Sequence, residues 1–94
     1  MRDAKTDRNQ PEIVKALEDA GCSVQLLHRV GGGCPDLLVG RINKNFLLEV
    51  KDGDRVPSER KLNERQEKWH REWKGQKIVV TNAREALDAV GLKG

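Results

Sequence analysis

Two carboxylates and a lysine, Asp36, Glu49 and Lys51, are the residues of this 94-residue chain whose types and spacing could do chemistry. Asp36 follows Cys34-Pro35 and opens the apolar run Leu37-Leu38-Val39, while Glu49 and Lys51 close the run Phe46-Leu47-Leu48-Glu49-Val50-Lys51. Side chains two apart on a strand share a face, so Glu49 and Lys51 project together. With a hairpin turning around Asn43 and Lys44, Asp36 lies opposite Lys51 and Leu38 opposite Glu49. Asp36 and Glu49 are then diagonal neighbours about 7–8 Å apart at the backbone. A slip of one residue would send Asp36 to the other face. Acids at the ends of very apolar strands need a reason, because an unpaired buried charge is costly. A hard cation is one: Mg²⁺ takes oxygen ligands, usually one or two carboxylates plus substrate phosphate. Such an ion activates water and polarises a phosphoryl oxygen, and a neighbouring ammonium offsets the charge that develops during attack. The plainer alternative is a Pro-Asp turn and a same-face Glu49–Lys51 ion pair.

The elements that must position these groups can be read from periodicity and punctuation. Residues 1–9 are polar and aperiodic at the start, a flexible arm ahead of a single domain over 10–94. Asn9 or Gln10 can cap a helix with Pro11 in its first turn, Ile13, Ala16, Leu17 and Ala20 on one stripe, and Gly21 as its stop. Strands are expected over Cys22–His28, Leu37–Val39 and Phe46–Val50, with the last two joined as a hairpin. A charged helix follows the turn signals Asp52-Gly53-Asp54 and Pro57-Ser58 and runs to about Lys74. Lys77–Val80 makes a fourth strand and Ala83–Val90 a last short helix. The order α-β-β-β-α-β-α reads as an α/β domain, a small mixed β-sheet flanked by helices.

Composition narrows the function class. Eighteen Lys and Arg against 15 Asp and Glu leave a net charge of +3, compatible with a phosphate-bearing partner and too small to demonstrate one. No apolar run approaches the roughly 20 residues of a membrane span, so a soluble, cytoplasmic protein is expected (host cell cytoplasm if viral) with no membrane partner. Cys22 and Cys34 make no disulfide framework, although counting leaves one bridge open. Cys22, His28, Cys34 and His70 fit no common zinc spacing.

Gly33-x-Pro35-Asp36-Leu37-Leu38, then Glu49-Val50-Lys51, then Leu62-x3-Gln66 resembles the PD-(D/E)XK nuclease superfamily, most closely its virus-type replication-repair branch, the VRR-NUC domain. The likeness runs from about Gln10 to Val80. It implies Asp36 and Glu49 as metal ligands, the Val50 carbonyl completing the site, Lys51 positioning the attacking water, and one or two Mg²⁺ or Mn²⁺ ions. It also implies a DNA endonuclease, structure-selective on branched DNA in the manner of a Holliday-junction resolvase, working as a homodimer. The small core independently favours a two-fold dimer. The competing readings are a non-catalytic nucleic-acid-binding module of the same fold, or a nuclease acting on RNA or unbranched DNA.

Supporting residues each carry a structural alternative. Glu12 matches an acid that many family members aim at the metal, and Asn9-x-x-Glu12 is equally a capping box. Gln66 matches a family glutamine near the metal, and Asn63-x-x-Gln66 is a capping box if the helix begins there. Leu62, Gln66, Trp69 and Trp73 form one helical stripe, so the two tryptophans read as core or dimer contacts rather than base-stacking platforms. His70 reads as a partly exposed helix residue. Gly32 and Gly33, with Arg29, Arg41, Lys44, Arg55, Arg60, Lys61 and Arg65, are the candidate DNA contacts.

Overall fold

Pro11 and the Ile13/Leu17 stripe produce the first helix, α1 (Gln10–Asp19), which buries both apolar side chains completely. Gly21 ends it in the left-handed region (φ +93°), and the Cys22 N–H donates back to the Leu17 carbonyl at 3.0 Å. These features come from a computed structural model, which describes residues 7–92 apart from the Glu59 side chain. Four strands follow the expected order with somewhat different ends: β1 (Ser23–Leu26), β2 (Leu37–Arg41), β3 (Lys44–Val50) and β4 (Ile78–Val80). They form one mixed sheet in the order β1-β2-β3-β4, antiparallel except for the parallel β3–β4 pair. The remaining helices are α2 (Glu64–Glu72) and α3 (Ala83–Ala89). The chain is therefore a small mixed α/β domain, and no described helix is long and apolar enough to cross a membrane. Cys22 and Cys34 are free thiols.

The sheet uses its two faces differently. Leu37, Val39, Leu48 and Val50 point to the face where Ile13 and Leu17 of α1, Ala86 of α3, Val80 and Val90 complete the core. Because side chains alternate, Asp36, Leu38, Leu47 and Glu49 belong to the opposite face. Leu48 is fully buried at the centre of the core. Leu48→Ala should cost about 2–5 kcal/mol, measurable as a lower urea midpoint with an unchanged slope.

The hairpin register differs from the expected one by two residues. Its turn is Ile42-Asn43, both with positive φ (47° and 62°), the conformation of a tight primed turn. Leu37 therefore pairs with Leu48 and Leu38 with Leu47. An even shift preserves the face, so Asp36, Glu49 and Lys51 stay together. One step beyond the Leu37–Leu48 pair, Asp36 stands directly opposite Glu49 rather than diagonal to it.

The charged helix is also shorter than expected. Pro57–Glu59 forms a separate 3₁₀ turn, and α2 begins only after Asn63, whose extended backbone (φ −77°, ψ 175°) makes it the cap. The Asn63 side chain accepts from the Gln66 N–H at 2.9 Å, while the Asn63 N–H donates to Gln66 Oε1 at 3.0 Å. Trp73, at the other end, is extended (ψ 124°), so the helix stops before Lys74 and Gly75.

Candidate active site

Pairing across the hairpin brings Asp36 and Glu49 together at the end of the sheet. Asp36 fixes its carboxylate on the neighbouring strand: the Val50 N–H donates to Asp36 Oδ2 at 2.8 Å. Glu49 is only 1% exposed, and its Oε1 is buried without a hydrogen-bond partner. Burial pushes the Glu49 carboxyl up to about 9, and Asp36 adds to the effect through its charge and through a side-chain hydrogen bond between the two carboxyls. Lys51 works in the opposite direction, and Asp7 raises it further. The proton that results is shared by the Asp36–Glu49 pair.

Gln66 ties the second strand to α2. Its Oε1 accepts from Lys51 Nζ at 2.8 Å, and its Nε2 donates to Glu49 Oε2 at 3.0 Å. The two readings of this residue are thus both realised, since the same amide closes the α2 capping box and joins the lysine to the acid. Each carbonyl lone pair of Gln66 has a donor, one from Lys51 and one from the Asn63 backbone. One turn later, His70 Nε2 lies 3.9 Å from Glu49 Oε1, too far for a hydrogen bond, and it too is buried without a partner. Burial lowers the imidazole below its ordinary value, and the nearby Lys77 and Lys51 charges lower it further. His70 is partly buried, in keeping with the partly exposed helix position expected from the sequence, and its Nε2 faces the site. Its i+4 spacing from Gln66 was the signal that could have placed it.

Residues 1–6 of the expected arm lie outside the described residues. Arg8 and Asn9, within its described part, are fastened to the residues just after β3. The Asn9 amide donates to the carbonyls of Lys51 (3.1 Å) and Thr81 (2.9 Å), and Arg8 pairs with the buried Asp52 carboxylate. Asp52 is held below the usual carboxylate range, chiefly by the Asp54 N–H and then by Arg8. This anchoring brings Asp7 into the field of Lys51, Asp36 and Asp52, and burial raises its carboxyl. Asp7, which sequence reasoning did not single out, thus stands near enough to the site to feel its charges. Glu12, the acid expected to reach the metal, sits on the exposed face of α1. The alternative capping box is absent as well, because Asn9 makes no cap bond and spends its side chain on the strand end.

Gly33 explains its own identity. Its φ is +86°, and a Cβ there would lie 2.6 Å from the Arg65 carbonyl carbon and 3.0 Å from the Gln66 nitrogen. The glycine was expected to admit a DNA backbone, but it admits the first turn of α2. Gly33→Ala should push that turn away, separate Gln66 from Lys51 and Glu49, and lower Tm. Crosslinking or NMR shifts localised at Gln66 would register the displacement.

The basic residues divide by position. Arg41 donates to the Val90 carbonyl at 3.0 Å and so ties the hairpin to the end of α3. Arg41 and Lys44 stand at the turn end of the hairpin, about 17 Å along the strand from the carboxylates at 3.4 Å per residue. Any phosphate that either of them contacts is therefore several nucleotides from the one at the carboxylates. Arg55 faces Asp52 at 3.7 Å. Arg60 is half-buried, whereas Lys61 and Arg65 are exposed on the approach to α2 and in its first turn. Arg29 and Gly32 lie exposed in the loop segment between β1 and β2.

The donor set suits a hard divalent ion at the two-carboxylate minimum: Asp36 and Glu49, with Glu49 Oε1 buried and unpartnered. Among the described residues no group of three or more His, Cys, Asp or Glu side chains is gathered for a metal. Any further ligands would be main chain, water or substrate. The fold and site together define a small mixed α/β domain with two acids and an amide-held lysine at one end of its sheet. Comparison of the chain with protein-family models, curated proteins and solved structures gives no match.

Proposed function

We propose that this chain is a divalent-metal-dependent DNA endonuclease of the PD-(D/E)XK type, in its VRR-NUC branch, hydrolysing phosphodiesters in branched DNA as a homodimer. The observation that carries the reading is the buried Glu49 carboxyl opposite Asp36, with an unpartnered oxygen and Gln66 joining it to Lys51. Such an arrangement is expensive unless a cation takes the place of the shared proton.

Asp36 and Glu49 would hold Mg²⁺ or Mn²⁺, with the Val50 carbonyl as the third protein oxygen, and the ion when bound acidifies water and polarises a phosphoryl oxygen. The Lys51 ammonium is kept beside the acids by Gln66. From there it orients a water and offsets negative charge as the phosphorus becomes five-coordinate. Gln66 is a positioning residue, since it acts through Lys51 and Glu49. The Val50 N–H fixes the Asp36 carboxylate before any ion arrives. Arg65 and Lys61 supply positive charge on the same side of the fold.

End-labelled linear duplex, single strand, flap and four-way junction, each with Mg²⁺, Mn²⁺ or EDTA, test the proposal. Paired symmetric cuts in the junction, absent in EDTA, are expected, together with a dimeric mass by light scattering. Cutting of every substrate would keep the nuclease and remove its structure selectivity. Tight binding without any cutting would assign the chain to the non-catalytic class.

A further inference from the structure

We propose that the apolar groove beside the carboxylates binds an unpaired nucleobase, that of the nucleotide adjoining the phosphodiester under attack. This inference rests on the nuclease reading above and adds to it the kind of nucleotide the site requires.

The groove has a volume of about 710 Å³. Leu38 and Leu47 line it from the sheet, Trp69 and Trp73 from α2, and Gly31 and Gly32 from the loop after β1. The two indoles are stacked, with ring centres 4.6 Å apart and planes 15° from parallel. Trp73 nevertheless remains 44% exposed. It is also held in place: a Cβ at Gly75 would lie 2.9 Å from its Nε1, and Lys77 Nζ donates to its carbonyl at 3.2 Å. Of the two places expected for these tryptophans, core or dimer contact, the core does not hold them. A half-exposed indole stacked on a partly buried one is the kind of apolar surface that marks a binding site.

Position, charge and chemistry select the occupant. Leu38 follows Asp36 on the same face of one strand, and Leu47 precedes Glu49 on the same face of the other. The groove therefore begins one same-face step, about 6.8 Å, from the carboxylates. A nucleic acid with its phosphate at the carboxylates lays its next nucleotide there. No acidic side chain lines the groove, and the Lys77 ammonium, bonded to the carbonyl of the lining residue Trp73, stands beside it, a charge suited to a polyanion. Gly31 and Gly32 have positive φ with open space above their Cα atoms, which keeps the rim low enough for a ring to enter. Flat aromatic walls stack any base without reading its identity. A base paired within a duplex must leave its stack to enter, so the groove favours a nucleotide that is unpaired or unstacked at the branch point beside the cut.

Trp69 and Trp73 are the only tryptophans of the chain, so its intrinsic emission reports on this groove. The test titrates the metal-free protein with a thymidine octamer and with an abasic octamer of equal charge. Saturable quenching by the thymidine octamer, and much weaker quenching by the abasic one, is the expected result. Trp73→Ala should weaken binding of a labelled thymidine octamer about 5- to 100-fold, and Trp73→Phe should recover most of it. Equal quenching by both octamers, or unchanged binding by Trp73→Ala, would overturn the inference. So would emission that follows protein concentration and dimer mass while ignoring both octamers, which would give the groove to a second copy. Mn²⁺-dependent cleavage of a junction, measured in parallel, scores the nuclease reading separately from the groove.

Discussion

Replacing Asp36 with alanine is expected to abolish cleavage, by roughly 10³-fold or more, because it removes one of the two carboxylates proposed to hold the ion. The same change has a structural cost. Asp36 Oδ2 accepts the Val50 N–H, and deleting it leaves that donor unpaired beside a buried strand. A loss of about 1–3 kcal/mol should accompany the loss of activity. Asp36→Asn separates the two effects, since its amide oxygen still accepts from Val50 while the negative charge is gone. The asparagine variant should unfold close to wild type in urea and cut no better than alanine. Cleavage by either variant at the wild-type rate would remove Asp36 from the site.

Glu49→Gln should give the second large effect, a protein that is more stable and inactive. Burial raises the Glu49 carboxyl from its usual value of 4.5 to about 9, so between those pH values the folded chain holds a proton that the unfolded chain has released. Stability from this group is complete below the unfolded value and is lost as pH rises through the folded one. Wild type without metal should therefore lose Tm between about pH 5 and pH 9. Glutamine keeps an oxygen to accept from Gln66 and carries no ionisable proton, so the slope in that window should flatten. At pH 8 the variant should melt on the order of 5–10 °C higher. Added Mn²⁺ should raise the wild-type Tm at pH 8 and leave the glutamine variant unchanged. Parallel Tm profiles for the two proteins would show that the buried carboxyl carries no such penalty.

Strand periodicity was enough to put Asp36, Glu49 and Lys51 on one face, because a period of two survives any even error in register. The register itself was not legible. It depends on Ile42 adopting a positive φ, which a β-branched residue rarely does, so a turn centred on Asn43 and Lys44 was the natural reading. The α2 start was legible as one of two choices, and Asn63 settles it by offering a complete capping box. No one-dimensional pattern could show Gln66 serving as cap and site residue at once, since that needs the helix end to land beside Lys51. Asp7 lay in a polar segment without periodicity, and only the bonds of Arg8 and Asn9 to the residues just after β3 bring it near the acids. The tryptophans had helical spacing and few other large residues for company, which favoured core or dimer contact. In the fold, α2 buries none of its residues completely and leaves its aromatic end at a groove.

The central claim is that Asp36 and Glu49 together hold a divalent cation, and calorimetric titration with Mn²⁺ at pH 7.5 measures it directly. Wild type should bind saturably and release protons, as the ion takes the place of the proton the pair shares, while Asp36→Asn should show only the heat of dilution. The same isotherm from both proteins, or no binding by a folded wild type, would contradict the account.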